Sequence, residues 1–448
     1  MNRREFVKKA GLTAGLSLAS PYIMKNGLFA RGAMSSADHV VLVMFAGGVR
    51  QQESVLQRYL TDSQGLTGSI YEGNIMYNLL NGQAPQDKIV YGLDSGAGPQ
   101  GSLPIPAILN SSLQSQGILF PEVIAAGTGH YSGLVTLLTG SRSVTQGLRN
   151  RPRNPTIFEY ARKHANLGAT DVWMVGNRIG NSLPLLNYSD HPDYGVEYGA
   201  NFIAPDVTFG SEGEEHIKNA KSYHPEEDLG PVNAMQNFLN RSFNRTGSDF
   251  GGVRNTEDEK YQLRLFFEEM FAKKASNTIS HPPVVTNNDM RAVGYTCEVL
   301  KWFKPKVTVV NLDSVDGCHS NFTGYLRSLH RADHAVGHLW NTIQTQIPEM
   351  ADNTCLIVCP EHGRNLDPNS VLDENNWLAY DHSDLNATRI FSMVVGPGID
   401  QNLVVGSESN PIGDISDIVL TMAEVLGIKS QVIQAGLTSS SQSLLDRI

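Results

Sequence analysis

The sequence has no excess of basic residues. Its 448 residues include 35 lysines and arginines against 45 aspartates and glutamates, which gives a formal charge of −10 at pH 7. We find no basic stripe of the kind that proteins use to follow a phosphate backbone. We therefore expect no nucleic acid among the partners of this protein.

The chain also lacks a long apolar run near its N-terminus. The weakly hydrophobic segment Ala10–Ala19 is much shorter than the ~20 residues that a helix needs to span a bilayer. We therefore expect no stable insertion into a membrane. With 40% hydrophobic and 18% charged residues, the composition is ordinary for a soluble globular enzyme with a large core.

Cysteine is scarce, and its spacing does not match a zinc-binding C-x-x-C pair. The four cysteines are Cys297, Cys318, Cys355 and Cys359. The last two lie four residues apart on one predicted strand, roughly 13 Å at ~3.3 Å per residue, which is too far for a disulfide. We assign no disulfide framework.

The first residues form a specific pattern. Arg3 and Arg4 lie in a short basic segment, which the Gly- and Ala-containing segment Ala10–Ala19 follows. This arrangement resembles a twin-arginine export signal. The resemblance implies that residues 1–36 are a signal, that the Tat translocase is a partner during export, and that the mature protein is periplasmic or secreted. A basic, frayed N-terminal helix is the alternative.

Acidic and imidazole side chains follow two short, β-branched runs, 307–312 and 354–359, which are typical of strands buried on both faces of an α/β sheet. Sites in open α/β sheets form beyond the carboxyl ends of strands, so these side chains are candidate metal ligands. The candidates are Asp313, Asp316 and His319 after the first run, Glu361 and His362 after the second, and His382 in a later loop. Zn²⁺ and similar divalent ions take such oxygen and nitrogen ligands.

A glycine-rich turn follows a third predicted strand, Val123–Ala126. The turn leads through Thr128, His130 and Ser132 into an apolar pattern that predicts a helix up to Thr139. Unpaired amides and the helix dipole make such a turn an anion cradle, so these three side chains are candidate catalytic residues at the mouth of the sheet. Thr128 could instead be the helix N-cap.

The order of the predicted elements indicates an α/β fold. Strands at 39–45, 123–126, 171–175, 307–312, 354–359 and 390–395 alternate with helices at about 134–139, 155–161, 288–303, 322–346 and 414–426. This alternation predicts a mostly parallel sheet between helical layers. From about 187 to 283 the alternation lapses, and we expect a mixed insertion or cap over the site, with a charged helix over 257–275. A solvated helical excursion without a role in substrate choice is the alternative.

The C-terminal half carries a series of motifs. They are, in order, Arg331–Gly337, Asp352–Val358, Glu361–Gly363, Val394–Ile399 and Asp414–Val419. Together with the strand pattern they resemble the alkaline phosphatase superfamily, which includes sulfatases and phosphatases. The resemblance covers about residues 38–180 and 288–430. It implies a three-layer αβα sandwich for residues 37–448 and metal-dependent hydrolysis of phosphate or sulfate esters.

The resemblance also implies two metal sites. The first would use Asp316, His319 and His382, and the second would use Glu361 and His362. The acid and the histidine of the first site are three residues apart instead of the family's four, which keeps Asp313 as an alternative ligand. Zinc is the metal that this set favours, with manganese, calcium and magnesium as alternatives.

The sequence departs from the family pattern at two positions. Ala46 follows the first strand where the family has an aspartate, and Glu53 is the candidate to take its place. His130 stands where the family has a serine, a threonine or a modified cysteine as nucleophile. Thr128 is therefore the first candidate nucleophile, with Ser132 behind it.

Other basic residues offer further contacts. Arg50 and Arg364 are candidates to hold phosphate or sulfate in a bidentate manner, with ion pairing at the surface as the alternative. His330, His334 and His338 recur every four residues on a predicted helix, and their stripe is a further candidate metal site.

Two functions remain open. The first is an exported, metal-dependent hydrolase of a small-molecule or glycan ester of phosphate or sulfate. The second is a catalytically degenerate protein of the same fold that binds a glycan or another protein. Ala46 and His130 favour the second function.

Overall fold

A computed structural model describes residues 37–60, 71–84, 104–144, 150–177, 183–211, 213, 253–285 and 287–448. The predicted export signal, residues 1–36, lies outside the described residues. So do residues 214–252, which belong to the predicted insertion.

One eight-stranded sheet forms the centre of the described fold, in the order β10-β4-β9-β8-β1-β7-β5-β6. Its strands are β1 (His39–Phe45), β4 (Gly117–Ile124), β5 (Val172–Gly176), β6 (Asn201–Ile203), β7 (Val307–Leu312), β8 (Thr354–Pro360), β9 (Arg389–Val395) and β10 (Leu403–Val404). Of these described strands, β9 alone runs antiparallel to its neighbours. A separate antiparallel pair consists of β2 (Arg58–Leu60) and β3 (Tyr71–Glu72).

Helices lie on both faces of the sheet, as the sequence predicts. Those of one layer are Glu257–Ser276, Asn288–Phe303 and Phe322–Gln346, and those of the other are His130–Thr139, Ile157–His164 and Asp417–Val425. Shorter α-helices are Leu113–Gln116, Pro205–Thr208 and Lys429–Ala435. The 3₁₀ helices are Ala169–Asp171, Leu183–Asn187, Gly195–Tyr198, Ser314–His319, Leu385–Thr388 and Leu444–Arg447.

The central strands are buried on both faces. Every residue of β1, β7 and β8 is buried. Alternate residues of β1, namely Val41, Val43 and Phe45, pack in the core of the first helical layer, and the intervening side chains point to the other layer. Two covered faces explain why these strands have no polar alternation in the sequence.

Most predicted elements are confirmed, but the strand predicted at 123–126 is misplaced. β4 begins at Gly117 and ends at Ile124, and its pairing with β9 is irregular between Phe120 and Val123. Pro121 lies at this irregularity, and proline has no backbone N–H to offer a neighbouring strand. The proline interrupts the strand pattern, so the sequence shows only its last residues.

The described parts of the predicted insertion pack against the edge of the sheet. β6 pairs in parallel with β5. The helix Glu257–Ser276 places Phe266 and Phe267 in a core that also contains Trp173 of β5. The role of the insertion as a cap over the site stays a prediction.

The register of the central strands brings three chain segments together. Phe45, the last residue of β1, pairs with Leu312 of β7 on one side and with Pro360 of β8 on the other. The segments that follow these strands therefore leave the sheet at one edge, where the predicted ligands lie. No helix among the described residues has the length and apolar character that crossing a bilayer requires.

Candidate metal centre

Six side chains of metal-binding type converge at this edge of the sheet. Potential ligand atoms of His130, Asp316, His319 and His382 lie within 4.8 Å of one another. Those of His130, Glu361 and His362 form a second such group. We call these the first and the second ligand group, and His130 belongs to both.

A 3₁₀ helix explains the unusual spacing in the first group. Asp316 and His319 lie on the helix Ser314–His319, which directly follows β7. A 3₁₀ helix has three residues per turn, so side chains three apart lie above one another. Asp316 Oδ1 is 3.3 Å from His319 Nε2 as a result. Asp313, the alternative ligand, caps this helix and belongs to neither group.

Three of the histidines are oriented by hydrogen bonds outside the groups. Nδ1 of each contacts an oxygen: Asp381 Oδ1 at 2.8 Å for His319, the Gly363 carbonyl at 2.7 Å for His362, and the Thr128 carbonyl for His382. Carbonyl and carboxylate oxygens accept hydrogen bonds, so Nδ1 of each ring carries the proton and Nε2 keeps its lone pair. Nδ1 bound to an oxygen behind the ring is typical of metal-binding histidines.

His130 and Glu361 are in direct contact. His130 Nδ1 lies 2.6 Å from Glu361 Oε1, which also accepts a hydrogen bond of 2.5 Å from the Gly47 amide. Burial lowers the pKa of His130, but its hydrogen bond to Glu361 and the charges of Glu361 and Asp316 outweigh this effect and raise it. Burial raises the pKa of Glu361 by more than the hydrogen bonds from His130 and the Gly47 amide lower it.

The second oxygen of Glu361 has no hydrogen-bond partner. The side chain of Glu361 is fully buried, and Oε2 contacts no donor of the described residues. An unpartnered buried carboxylate oxygen is unfavourable in a protein interior, so this atom fits a bound cation.

Distances between the potential ligand atoms fit an ion of the size of zinc. In the first group, His319 Nε2 is 3.1 Å from His382 Nε2, and Asp316 Oδ1 is 3.4 Å from His130 Nε2. In the second, His362 Nε2 is 3.2 Å from His130 Nδ1 and 3.4 Å from Glu361 Oε1. Tetrahedral bonds of about 2.0–2.1 Å separate neighbouring ligands by about 3.3 Å. The first group therefore fits a divalent metal as it stands. In the second group, His130 Nδ1 and Glu361 Oε1 are 2.6 Å apart and share a proton, so they must lose this proton and separate in order to bind one ion.

The guanidinium of Arg364 is hydrogen-bonded to oxygens of the protein. Its buried guanidinium donates to Asp316 Oδ1 at 2.9 Å and to the backbone carbonyls of Gly47 and Tyr380. Burial raises the pKa of Asp316, but the contact with His319 and the charges of His130 and Arg364 outweigh it and hold this pKa well below its usual range. Arg364 therefore positions a carboxylate instead of facing a substrate.

Arg50 and Glu53 pair with each other outside the two ligand groups. Arg50 Nε donates to both carboxylate oxygens of Glu53 at 3.0 Å, and the guanidinium lies 3.7 Å from the ring centre of Tyr380. The side chains are 1% and 0% exposed. Glu53 therefore does not take the place of the missing aspartate, and the structure does not bring Arg50 to the ligand groups.

The turn after β1 leaves no room for side chains. Gly47 has φ +108° and Gly48 has φ +82°, which other residues rarely adopt. A Cβ on Gly47 would lie 2.5 Å from Asp316 Cβ, and one on Gly48 would lie 2.5 Å from His362 Nδ1. Ala46 precedes this turn and is fully buried. The two glycines thus let the backbone approach both ligand groups.

The candidate nucleophiles lie at the start of the helix His130–Thr139. Its N-cap is Gly129, without a side-chain cap, so the alternative of Thr128 as N-cap is wrong. Thr128 contacts His382 through its carbonyl oxygen, whereas Ser132 Oγ donates to the Gly129 carbonyl at 2.7 Å. Their role as nucleophiles stays a prediction.

The sequence did not reveal His130 as a potential ligand. Its position depends on Gly133, where a Cβ would collide with the backbone of Glu361. This close approach brings the start of the helix to the end of β8. The signal in the sequence is a histidine directly after a strand and a glycine-rich turn, a place where a metal ligand is as compatible with the pattern as a nucleophile.

The histidine stripe on Phe322–Gln346 belongs to the core. His330 lies between the carbonyl of Ile75 and the amide of Ile105, both at 2.8 Å. His338 Nε2 is 3.0 Å from the Ser280 carbonyl. These histidines belong to no ligand group of the described residues.

Comparisons with known proteins give structural neighbours only. No protein-family model matches the chain, and no curated protein matches it. Among solved structures, the chain is similar to a protein in the alkaline phosphatase superfamily from Vibrio parahaemolyticus, with 13% identity over 88% of this chain and 70% of that one and a TM-score of 0.38.

Two further neighbours have named activities. The alkaline phosphatase from the Antarctic bacterium TAB5 is 12% identical over 88% of this chain and 99% of its own, with a TM-score of 0.39. The PsFucS1 sulfatase from Pseudoalteromonas sp. is 11% identical over 91% and 73%, with a TM-score of 0.41.

Proposed function

We propose that this protein is an exported, metal-dependent hydrolase of phosphate or sulfate esters, an atypical member of the alkaline phosphatase superfamily. One observation carries the proposal. Four imidazoles and two carboxylates converge beyond the carboxyl ends of β7 and β8, and three of the imidazoles turn Nε2 inward. Such a set of side chains serves metal binding better than it serves the stability of a core.

The ligand groups define which residues hold metal. Asp316, His319 and His382 would hold one ion, and Glu361 and His362 would hold the other. Imidazole-rich sets suit zinc better than magnesium or calcium, which prefer oxygen ligands, and manganese is intermediate. A divalent ion at this place would polarise the oxygens of a bound ester.

The start of the helix His130–Thr139 would bind the anionic part of the substrate. Its N-cap Gly129 has no side chain to occupy the first amides. These amides and the positive end of the helix dipole would stabilise negative charge that develops during hydrolysis. The attacking group would be the hydroxyl of Thr128, that of Ser132, or water.

Metal analysis of the purified full-length chain is the most informative test. After refolding with Zn²⁺ or Mn²⁺, we expect at least one ion per chain by mass spectrometry, and hydrolysis of an aryl phosphate or an aryl sulfate that a chelator abolishes. His382→Ala should lower the metal content and the turnover. His164→Ala, which replaces a histidine bound to the Tyr194 hydroxyl at 3.0 Å, should change neither. Less than about one ion per chain would contradict the proposal.

Export is a separate part of the proposal and depends on the pattern around Arg3 and Arg4. Replacing both arginines by lysine should retain the protein in the cytoplasm, whereas the native chain should reach the periplasm or the medium. Cell fractionation distinguishes these outcomes. Equal export of both forms would reject the twin-arginine signal without affecting the metal site.

A second function has its own support. Arg50 and Arg364, the guanidinium groups expected to hold an oxyanion, are both buried in ion pairs. A protein that retains the fold without catalysis, and binds a glycan or another exported protein, would need neither group. If the site is only impaired, Ala46→Asp should restore or raise turnover. Bound metal without activity on aryl phosphates or sulfates in either form would favour the binding function.

A further inference from the structure

His130 differs from the other histidines of the site in the surroundings of its Nδ1. In His319, His362 and His382, Nδ1 contacts an oxygen behind the ring, and only Nε2 faces inward. In His130, Nδ1 faces Glu361 and His362, which are themselves potential ligands.

The second nitrogen of His130 faces the other ligand group. Nε2 lies 3.4 Å from Asp316 Oδ1. The ring centres of the three histidines form a compact triangle, with 4.7 Å between His130 and His382, 4.9 Å between His130 and His362, and 4.4 Å between His362 and His382. Within this triangle, the two nitrogens of His130 face different ligand groups. A neutral imidazole has a lone pair on one nitrogen only, so a ring that binds two metal ions must first lose its N–H proton and become an imidazolate. In His130 this proton is the one between Nδ1 and Glu361 Oε1, and it would be released to solvent when the ions bind.

We propose that His130 is a ligand shared by two metal sites, through Nε2 in the first group and through Nδ1 in the second. The proposal deepens the proposed function and rests on its metal dependence. The first site then has four protein ligands, and the second has three. Without the ring, they would keep three and two.

The number of ligands has a direct consequence for binding. Two protein ligands, Glu361 and His362, do not complete the coordination of a divalent ion, whereas Asp316, His319 and His382 still supply the three that open zinc sites have. Loss of His130 should therefore empty the second site and weaken the first. The two sites are coupled through one residue instead of through a bridging substrate.

The position of the ring is fixed by backbone packing. Gly133, one turn further along the helix, lies against the backbone of Glu361 and sets the distance between the helix and β8. The ring therefore does not need the ions in order to stand between the groups, and a small imidazole in solution should be able to replace it when the side chain is removed.

The test uses the full-length protein and compares native, His130→Ala, His130→Gly and His164→Ala forms by Zn²⁺ titration and mass spectrometry. We expect two ions in the native and His164→Ala forms. In His130→Ala we expect one ion, bound at least about tenfold more weakly than the tighter native ion. Free imidazole should restore the second ion to His130→Gly, which shows that this variant is folded. Two ions with native affinities in His130→Ala would overturn the proposal.

Copper provides a readout that is independent of turnover. With two Cu²⁺ ions per chain, a shared imidazole ring couples the two unpaired spins, so the paramagnetic resonance signal should integrate to clearly fewer than two spins. An uncoupled signal of two spins in the native form would overturn the proposal.

Spin coupling in a protein without esterase activity would instead reject the proposed function and support the shared ligand. Phosphate trapped covalently on His130 during turnover would also overturn it, because a ring bound to two ions has no free nitrogen.

Discussion

Arg364 donates a hydrogen bond from Nη2 to Asp316 Oδ1 over 2.9 Å, and the same guanidinium binds the backbone carbonyls of Gly47 and Tyr380. The side chain of Arg364 is fully buried. One arginine thus connects the turn after β1, the 3₁₀ helix after β7 and the loop that leads to His382. Arg364 thereby adds to the strand register and to the hydrogen bond from the Tyr380 amide to the Cys318 carbonyl in holding these segments together.

Replacing Arg364 by methionine should destabilise the protein by about 2–4 kcal/mol. The change leaves the buried carbonyls without a donor and Asp316 without its cationic partner. Urea unfolding measures the effect. The control is Arg254→Met, which removes an exposed pair with Glu197 and should alter the free energy of unfolding by no more than about 0.5 kcal/mol. Equal stability of the Arg364→Met variant and the native protein would show that the segments are held by other contacts.

Removing one charge of the Arg50–Glu53 pair should destabilise the protein more than replacing both residues by apolar ones. Glu53→Gln leaves the charge of Arg50 buried and unpaired, and we expect a loss of about 3–5 kcal/mol. The double variant Arg50→Met with Glu53→Leu should recover most of this loss, because two apolar side chains need no partner. The exposed pair Lys260–Glu257 is the control, and Glu257→Gln should have little effect. A double variant that is less stable than the single one would show that the pair contributes net stability.

Much of the fold can be predicted where burial on both faces leaves long apolar runs. β1 and β7, and the helices Asn288–Phe303 and Phe322–Gln346, lie where the sequence places them. β4 could not be located, because Pro121 interrupts its pattern and its pairing with β9 is irregular there. The local pattern of apolar residues predicts burial and periodicity, but it does not predict where the pairing of two strands becomes irregular.

The candidate site shows the same division. The sequence predicts that Asp316 and Glu361 each follow the carboxyl end of a buried strand, and the register places the ends of β7 and β8 level with each other on the two sides of Phe45. The choice between Asp313 and Asp316 depends on a 3₁₀ helix that the sequence does not predict. The pairing of Glu53 with Arg50 depends on the burial of both side chains, which their residue types do not predict. Such details depend on side-chain contacts between distant segments, which spacing along the chain does not determine.

His330 should make the protein less stable in mild acid. Its ring is 1% exposed, and burial lowers its pKa to about 4. Nδ1 donates to the carbonyl of Ile75, and Nε2 accepts from the amide of Ile105, so the neutral ring fits and the charged ring does not. The folded-state pKa is lower than that of the unfolded chain, about 6.5. The stability that the neutral ring contributes is therefore complete above pH 6.5 and is lost as the pH falls towards 4.

Urea unfolding at several pH values checks this expectation. Between pH 6.5 and pH 5, the free energy of unfolding should fall by up to about 2 kcal/mol because of His330. His330→Gln keeps a donor and an acceptor but does not titrate, so its stability should fall less over the same range. If both forms lose stability in parallel, other groups cause the acid sensitivity.

The two ligand groups should differ in affinity for metal. The first contains one carboxylate and three imidazoles, counting the shared His130. The second contains Glu361 and His362 with the same His130 ring, and Ala46 stands where the family that the sequence resembles has an aspartate. A divalent cation in a partly buried site needs both donors and negative charge, so the first group should bind tightly and the second weakly.

Variants of one residue from each group separate the two sites. His382→Ala leaves three protein ligands in the first group and should weaken the tight site, whereas Glu361→Ala should leave this site unchanged and abolish the weak one. The weak site should fill more readily when phosphate or sulfate is present, because the oxygens of the anion supply the missing charge. Zn²⁺ titrations by calorimetry, with and without phosphate, measure both affinities. Two equally tight ions in the absence of an oxyanion would contradict this difference, and would mean that the second group has a further ligand in place of the aspartate.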